Sequence, residues 1–96
     1  MKMIHLYTPE EKSVGLLRYE TMPEDTLLVF HNIVPNEAIH ARGMKFPFGV
    51  AAIGSNAVVL AAQDMEPGDA LFMIPIGTRL VVEGPPGWYK KEARNA

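Results

Sequence analysis

Phe48-Gly49-Val50-Ala51-Ala52-Ile53, Gly54-Ser55-Asn56 and Ala57-Val58-Val59-Leu60-Ala61-Ala62-Gln63 decide the fold class. Two apolar runs of strand length flank a short connection in which Gly54 and Asn56 tolerate positive φ, so the segment reads as a β-hairpin. The adjacent apolar residues of 57–62 predict a return strand covered on both faces. The small side chains of Ala51, Ala52, Ala57, Ala61 and Ala62 suit close packing of sheet against sheet.

Outward from the hairpin, Gly and Pro turns cut the chain into further strands. Lys2 to Tyr7, Leu27 to Phe30, Ala38 to Arg42, Ala70 to Ile74 and Thr78 to Glu83 read as strands. Pro23-Glu24-Asp25, Pro35-Asn36, Glu66-Pro67-Gly68-Asp69, Pro75-Ile76-Gly77 and Gly84-Pro85-Pro86-Gly87 separate them. Thr8-Pro9-Glu10-Glu11 reads as a helix start: Thr8 caps, Pro9 suits the first helical position and Glu11 completes a capping box. Val14, Leu17 and Tyr19 are the expected inward residues of that helix. Trp88 to Ala96 is a short polar tail. The pattern predicts a small antiparallel β-barrel or sandwich with one short helix, in a single domain over residues 1–96.

Composition narrows the function classes. The chain has 96 residues, 48% hydrophobic and 21% charged. A domain of this size buries about 64% of its unfolded surface, enough for a core without a staple. A net charge of −2 disfavours a nucleic-acid backbone as partner. The absence of cysteine removes disulfides, thiol catalysis and thiolate metal sites. The longest apolar stretch, 57–62, is too short to span a bilayer, and the first residues carry no signal-peptide core. A cytoplasmic location is the default, and an exported mature form fits the same residues.

Few residues carry candidate chemistry. His5, His31 and His40 fall on or near different predicted strands without ligand spacing, so no metal site and no cofactor is predicted, and three separate imidazoles are expected. Ser55 lacks the second glycine of a nucleophile elbow. The prolines of 84–87 remove donors that a phosphate loop needs. Asp64, Glu66 and Asp69 cluster near a turn, and two close carboxylates can split their pKa values into acid and base roles. Lys90-Lys91-Glu92-Ala93-Arg94 is too weakly basic for a nucleic-acid tail. Arg42 and Lys45 bracket Gly43-Met44 just before Phe46-Pro47-Phe48. A cationic pair beside aromatic side chains can make an anion or carboxylate pocket; the competing reading puts Phe46 and Phe48 in the core under a positive loop.

The order of segments resembles a prokaryotic family catalogued as domain of unknown function 192. Gly15-Leu16-Leu17-Arg18, Met22-Pro23-Glu24-Asp25 and Leu28-Val29-Phe30 are similar to its opening. Arg42 through Pro47-Phe48-Gly49-Val50-Ala51-Ala52-Ile53 resembles its Met-Lys-Asn-Thr-x-x-Pro-Leu-Asp segment and the strand behind it. Ala57 to Leu60, Met65-Glu66-Pro67, Arg79 to Glu83 and Gly87-Trp88 continue the match, which spans about residues 13 to 88. Arg42 keeps the charge of the family's Lys, whereas Gly43, Met44 and Gly49 replace its Asn, Thr and Asp, and Gly68 stands where many members have Cys. The resemblance implies a compact, mainly antiparallel β fold, a polar segment reduced here to Arg42, and a closing element that many members carry beyond Trp88. For activity it implies no settled role. The expected function is a binding or accessory module with Arg42, Lys45, Phe46, Phe48 and Glu66 around a small anion or acidic peptide end. The alternative is a small hydrolase or isomerase using Asp64 and Glu66. A protein partner, and a monomer or a homodimer through a strand edge or apolar face, fit equally.

Overall fold

Thr8 opens the first α-helix as its residue types dictate. In the computed structural model, which describes residues 1–34 and 37–90, α1 spans Pro9–Val14. The Thr8 hydroxyl accepts from the Glu11 amide at 3.1 Å, and the Glu11 carboxylate accepts from the Thr8 amide at 2.9 Å and the Tyr7 amide at 3.0 Å. The backbone N–H groups of Thr8 and Tyr7 hold the Glu11 carboxyl below its ordinary pKa. The helix stops at Gly15, whose φ of 41° suits a residue without Cβ, and a 3-10 turn continues over Gly15–Arg18. That break shifts the phase of the inward face. Leu16 is buried, while Val14 and Leu17, the expected inward residues, are exposed; Tyr19 packs partly against the core.

Seven strands lie among the described residues: β1 Lys2–Leu6, β2 Thr26–Phe30, β3 Ala38–His40, β4 Phe48–Ile53, β5 Val59–Met65, β6 Leu71–Met73 and β7 Leu80–Gly84. Five form a sheet in the order β1-β2-β7-β4-β5, and β3 pairs with β6 in a small second sheet. The fold is mainly β and sandwich-like, as the turn spacing predicts. The barrel alternative does not hold, because the large sheet is open, with β1 and β5 at its edges. Nor is the sheet wholly antiparallel: β1 runs parallel to β2, the pair being joined by α1 and the 3-10 turn.

The decisive hairpin forms with two adjustments. Asn56 and Ala57 both take positive φ, 58° and 59°, so the connection lengthens and β5 begins at Val59. The register jumps between Ala52↔Ala61 and Ile53↔Val59, a bulge that leaves Leu60 unpaired. Because β5 is an edge strand, most of it is only half-buried, and the expected cover on both faces is absent.

Alternation along the strands defines two faces of the large sheet. One carries Leu6, Leu28, Phe30, Phe48, Val50 and Val81 and packs against Leu16, Phe46, Phe72 and Ile74 of the other layer. The opposite face carries Leu27, Val29 and Val82, with Trp88 against them. The predicted Pro35-Asn36 break, and the basic tail beyond Lys90, lie outside the described residues.

Candidate functional site

Glu83 departs from the pattern of the packed face. β7 is the central strand, and the period of two that points Val81 into the core sends Glu83 there as well. The register places it beside Leu28 on β2 and Val50 on β4, both fully buried. Glu83 itself is 6% exposed. Among the described residues no donor reaches its carboxyl group. Removal from water raises its pKa to about 8, so at neutral pH the protonated form predominates. A neutral carboxylic acid has one O–H to donate as well as an acceptor oxygen.

The carboxyl side opens on a cleft of about 240 Å³ between the large sheet and the layer that covers it. Gly15, Phe30, Phe48 and Glu83 are the buried residues of its lining; Leu17 and Arg42 are among the exposed ones. Gly15 lets the 3-10 turn approach the sheet closely. A Cβ there lies 3.2 Å from Phe30 Cζ, on a backbone already at positive φ. The cations around the cleft are differently committed. The Lys12 ammonium donates to the carbonyls of His31 and Asn32, each at 3.0 Å. His40 Nδ1 accepts from the Arg42 amide at 3.3 Å, which assigns that ring's proton to Nε2 in the neutral form. The Arg42 guanidinium has no hydrogen-bond or ion-pair partner among the described residues. The arrangement therefore offers an uncommitted cation at the mouth, apolar walls and a neutral acid at the base.

The sequence-predicted residues divide over this geometry. Arg42 and Phe48 line the cleft, and Met44 of the same segment joins them. Lys45 turns away to pair with the exposed Glu20 at 2.5 Å. Phe46 is buried in the core beside the cleft rather than in its lining. Glu66 is exposed past the end of β5 and does not line the cleft. Asp64 accepts from the Gly87 amide at 2.7 Å, which anchors the turn after β7. No side-chain hydrogen bond joins Asp64 to Glu66 among the described residues. Ser55 accepts from Arg79 Nε at 3.2 Å in the hairpin connection.

Among the described residues no three His, Asp or Glu side chains converge as a metal cluster. The histidines are nonetheless not all separate. His5 and His31 meet, and only His40 stands apart, at the cleft. Glu83 is the residue that the motif reading passed over. Its signal lies in the parity of Val81-Val82-Glu83: in a strand buried on both faces, one of these faces the core with Val81, and that one is an acid.

The unpacked face has its own device. Gly49 and Gly84 are register partners, one rung from Val50 and Glu83. Their missing side chains make room for Trp88, whose indole N–H donates to the Gly49 carbonyl at 3.0 Å. A Cβ on Gly49 comes within 3.1 Å of Trp88 Cδ1, and one on Gly84 collides with Leu27 Cδ2. Beside Trp88 lies a shallow apolar groove of about 330 Å³, with Leu27, Val29 and Val82 in its lining. No helix among the described residues is long and apolar enough to cross a membrane.

No family model matches the sequence, and no curated protein matches it. Two solved structures share the fold. A protein of unknown function from Novosphingobium aromaticivorans DSM 12444 superposes with a TM-score of 0.79 at 16% identity, over 93% of this chain and 66% of that one. A candidate transcription regulator from Sinorhizobium meliloti 1021 gives a TM-score of 0.79 at 16% identity, over 94% of this chain and 72% of that one. Identity at this level shows the fold alone. The chain thus spans 66% of the length of the first of these neighbours.

Proposed function

We propose that this protein is a small-molecule-binding domain and a divergent member of the family catalogued as domain of unknown function 192. The family assignment rests on the ordered resemblance over residues 13 to 88. The binding reading rests on Glu83: a residue only 6% exposed, with no side-chain hydrogen bond among the described residues, whose carboxyl opens on a cleft whose mouth carries Arg42. Burying an ionisable group without a partner costs stability, and such groups cluster where a ligand completes the hydrogen bonds.

The ligand class follows from the donors. Arg42 presents a planar fork of donors suited to a carboxylate. Phe30, Phe48 and Met44 accept a short apolar body. The protonated Glu83 donates to a carbonyl or hydroxyl oxygen at the far end. A small organic acid with a second oxygen function satisfies all three, and its size matches a cleft of about 240 Å³. A phosphate backbone is disfavoured by the net charge of −2. Catalysis is the second reading, since an acid with a pKa of about 8 is suited to proton transfer near neutrality.

A thermal-shift screen of short keto- and hydroxy-carboxylates tests the proposal on wild type, Arg42→Ala and Glu83→Gln. The expected result is stabilisation of wild type that disappears in Arg42→Ala and weakens in Glu83→Gln. Equal stabilisation of all three proteins, or none of any, contradicts it.

A further inference from the structure

His5 and His31 come together at the edge of the large sheet, away from the cleft. His5 lies on β1, on the face opposite the packed core, and His31 follows directly on β2. The parallel register ends with Leu6↔Phe30, and the His31 amide then donates to the Leu6 carbonyl at 2.9 Å. This brings His5 Nδ1 to 2.8 Å from His31 Nε2.

The surroundings hold the two rings in place. Tyr7 stacks on His31 with ring centroids 4.3 Å apart and planes 15° from parallel. Asn32 takes φ 57°, and its amide nitrogen donates to the Tyr7 carbonyl at 3.2 Å. Lys12 clamps the carbonyls of both His31 and Asn32. The bend after β2 is thus fastened to β1 and α1 at four points, although His5 and Tyr7 remain exposed.

We propose that His5 and His31 form a two-imidazole chelate for a divalent transition-metal ion, copper(II) foremost. Metal–nitrogen bonds of about 2.0–2.1 Å at a cis angle near 90° set two ligand nitrogens about 2.8–3.0 Å apart. The present separation of 2.8 Å lies at the lower end of this range, and each ring turns so that both lone pairs point to one ion. The proton that now lies between the rings passes, through solvent, to the outward nitrogen of the donor ring, so that both neutral imidazoles present a lone pair to the ion. Water completes the coordination on the exposed side. Among divalent ions, imidazole sites favour copper, and the tight cis spacing suits its tetragonal geometry. The backbone clamps lower the ordering cost of bringing the two ligands together.

The test is a copper(II) titration of the full chain against glycine as competitor, followed by visible absorption and pulsed electron paramagnetic resonance. One equivalent is expected to bind, and the remote-nitrogen modulation is expected to show two imidazoles. His5→Gln and His31→Gln are each expected to weaken binding at least tenfold, with unchanged far-UV circular dichroism. Unchanged affinity in both variants overturns the proposal by placing the metal at the amino terminus or at His40. The spectrum of the wild type decides independently of the variants: one imidazole or none contradicts a chelate.

Discussion

The two faces of the β4–β7 strand pair treat neighbouring rungs in opposite ways. On one face the Gly49/Gly84 rung leaves a space, and the chain fills it with its own Trp88, satisfying the indole N–H at the Gly49 carbonyl. On the other face the Val50/Glu83 rung carries a buried acid, and no donor among the described residues reaches it. The first is a closed arrangement in which every group has its partner, and its effect is on packing. The second leaves a desolvated group facing a cleft, which costs stability unless something outside the protein is bound. The difference separates a structural feature from a candidate site on the same two strands.

Stability against pH breaks this comparison most strongly. The carboxyl of Glu83 has a pKa of about 8 when folded, against 4.5 ordinarily. The folded state therefore holds the proton more tightly than the unfolded state. Its contribution is fully present below pH 4.5 and is lost as pH rises through about 8. Denaturant unfolding at pH 5, 7 and 9 is expected to show wild type losing on the order of 3 kcal/mol more than Glu83→Gln. Parallel pH profiles for the two proteins contradict the assignment of a neutral Glu83.

The opposite face predicts a smaller effect of a different kind. Gly84→Ala forces Leu27 and Trp88 apart, and overpacking of this sort is expected to cost about 1–3 kcal/mol at every pH. Thermal melts measure the loss, and a red shift of Trp88 fluorescence reports its displacement. A neutral substitution indicates that the indole is not seated against the glycine pair. The smallest effect is expected at Lys45, which the sequence places beside Arg42 but the structure sends to Glu20. That pair is exposed, so Lys45→Ala is expected to change stability by less than about 0.5 kcal/mol in unfolding experiments and to leave ligand shifts intact. Loss of ligand response in Lys45→Ala returns this residue to the site.

The strands were legible because Gly and Pro punctuate short apolar runs, and Thr8-Pro9-x-Glu11 marked the helix start through a local capping box. The parallel β1–β2 pairing was not legible, since direction depends on how the crossover packs and not on either strand's residues. The site was legible in part. Arg42 and Phe48 stood out as a cation and an aromatic near each other in sequence. Glu83 did not, because nothing local distinguishes a strand-end acid that faces solvent from one that faces a core. Only its rung, between Leu28 and Val50, makes it buried. The His5–His31 contact is non-local in the same way: it depends on the register of β1 against β2.

Carbon-13 nuclear magnetic resonance of the Glu83 carboxyl, assigned by comparison with Glu83→Gln and followed from pH 3 to pH 10, tests the central claim most directly. The account predicts a carboxyl that stays protonated through neutrality and titrates near pH 8, with a midpoint that moves when a bound organic acid occupies the cleft. A midpoint near the ordinary 4.5 contradicts it, because an ionised, hydrated Glu83 is not a neutral donor at the base of a binding cleft.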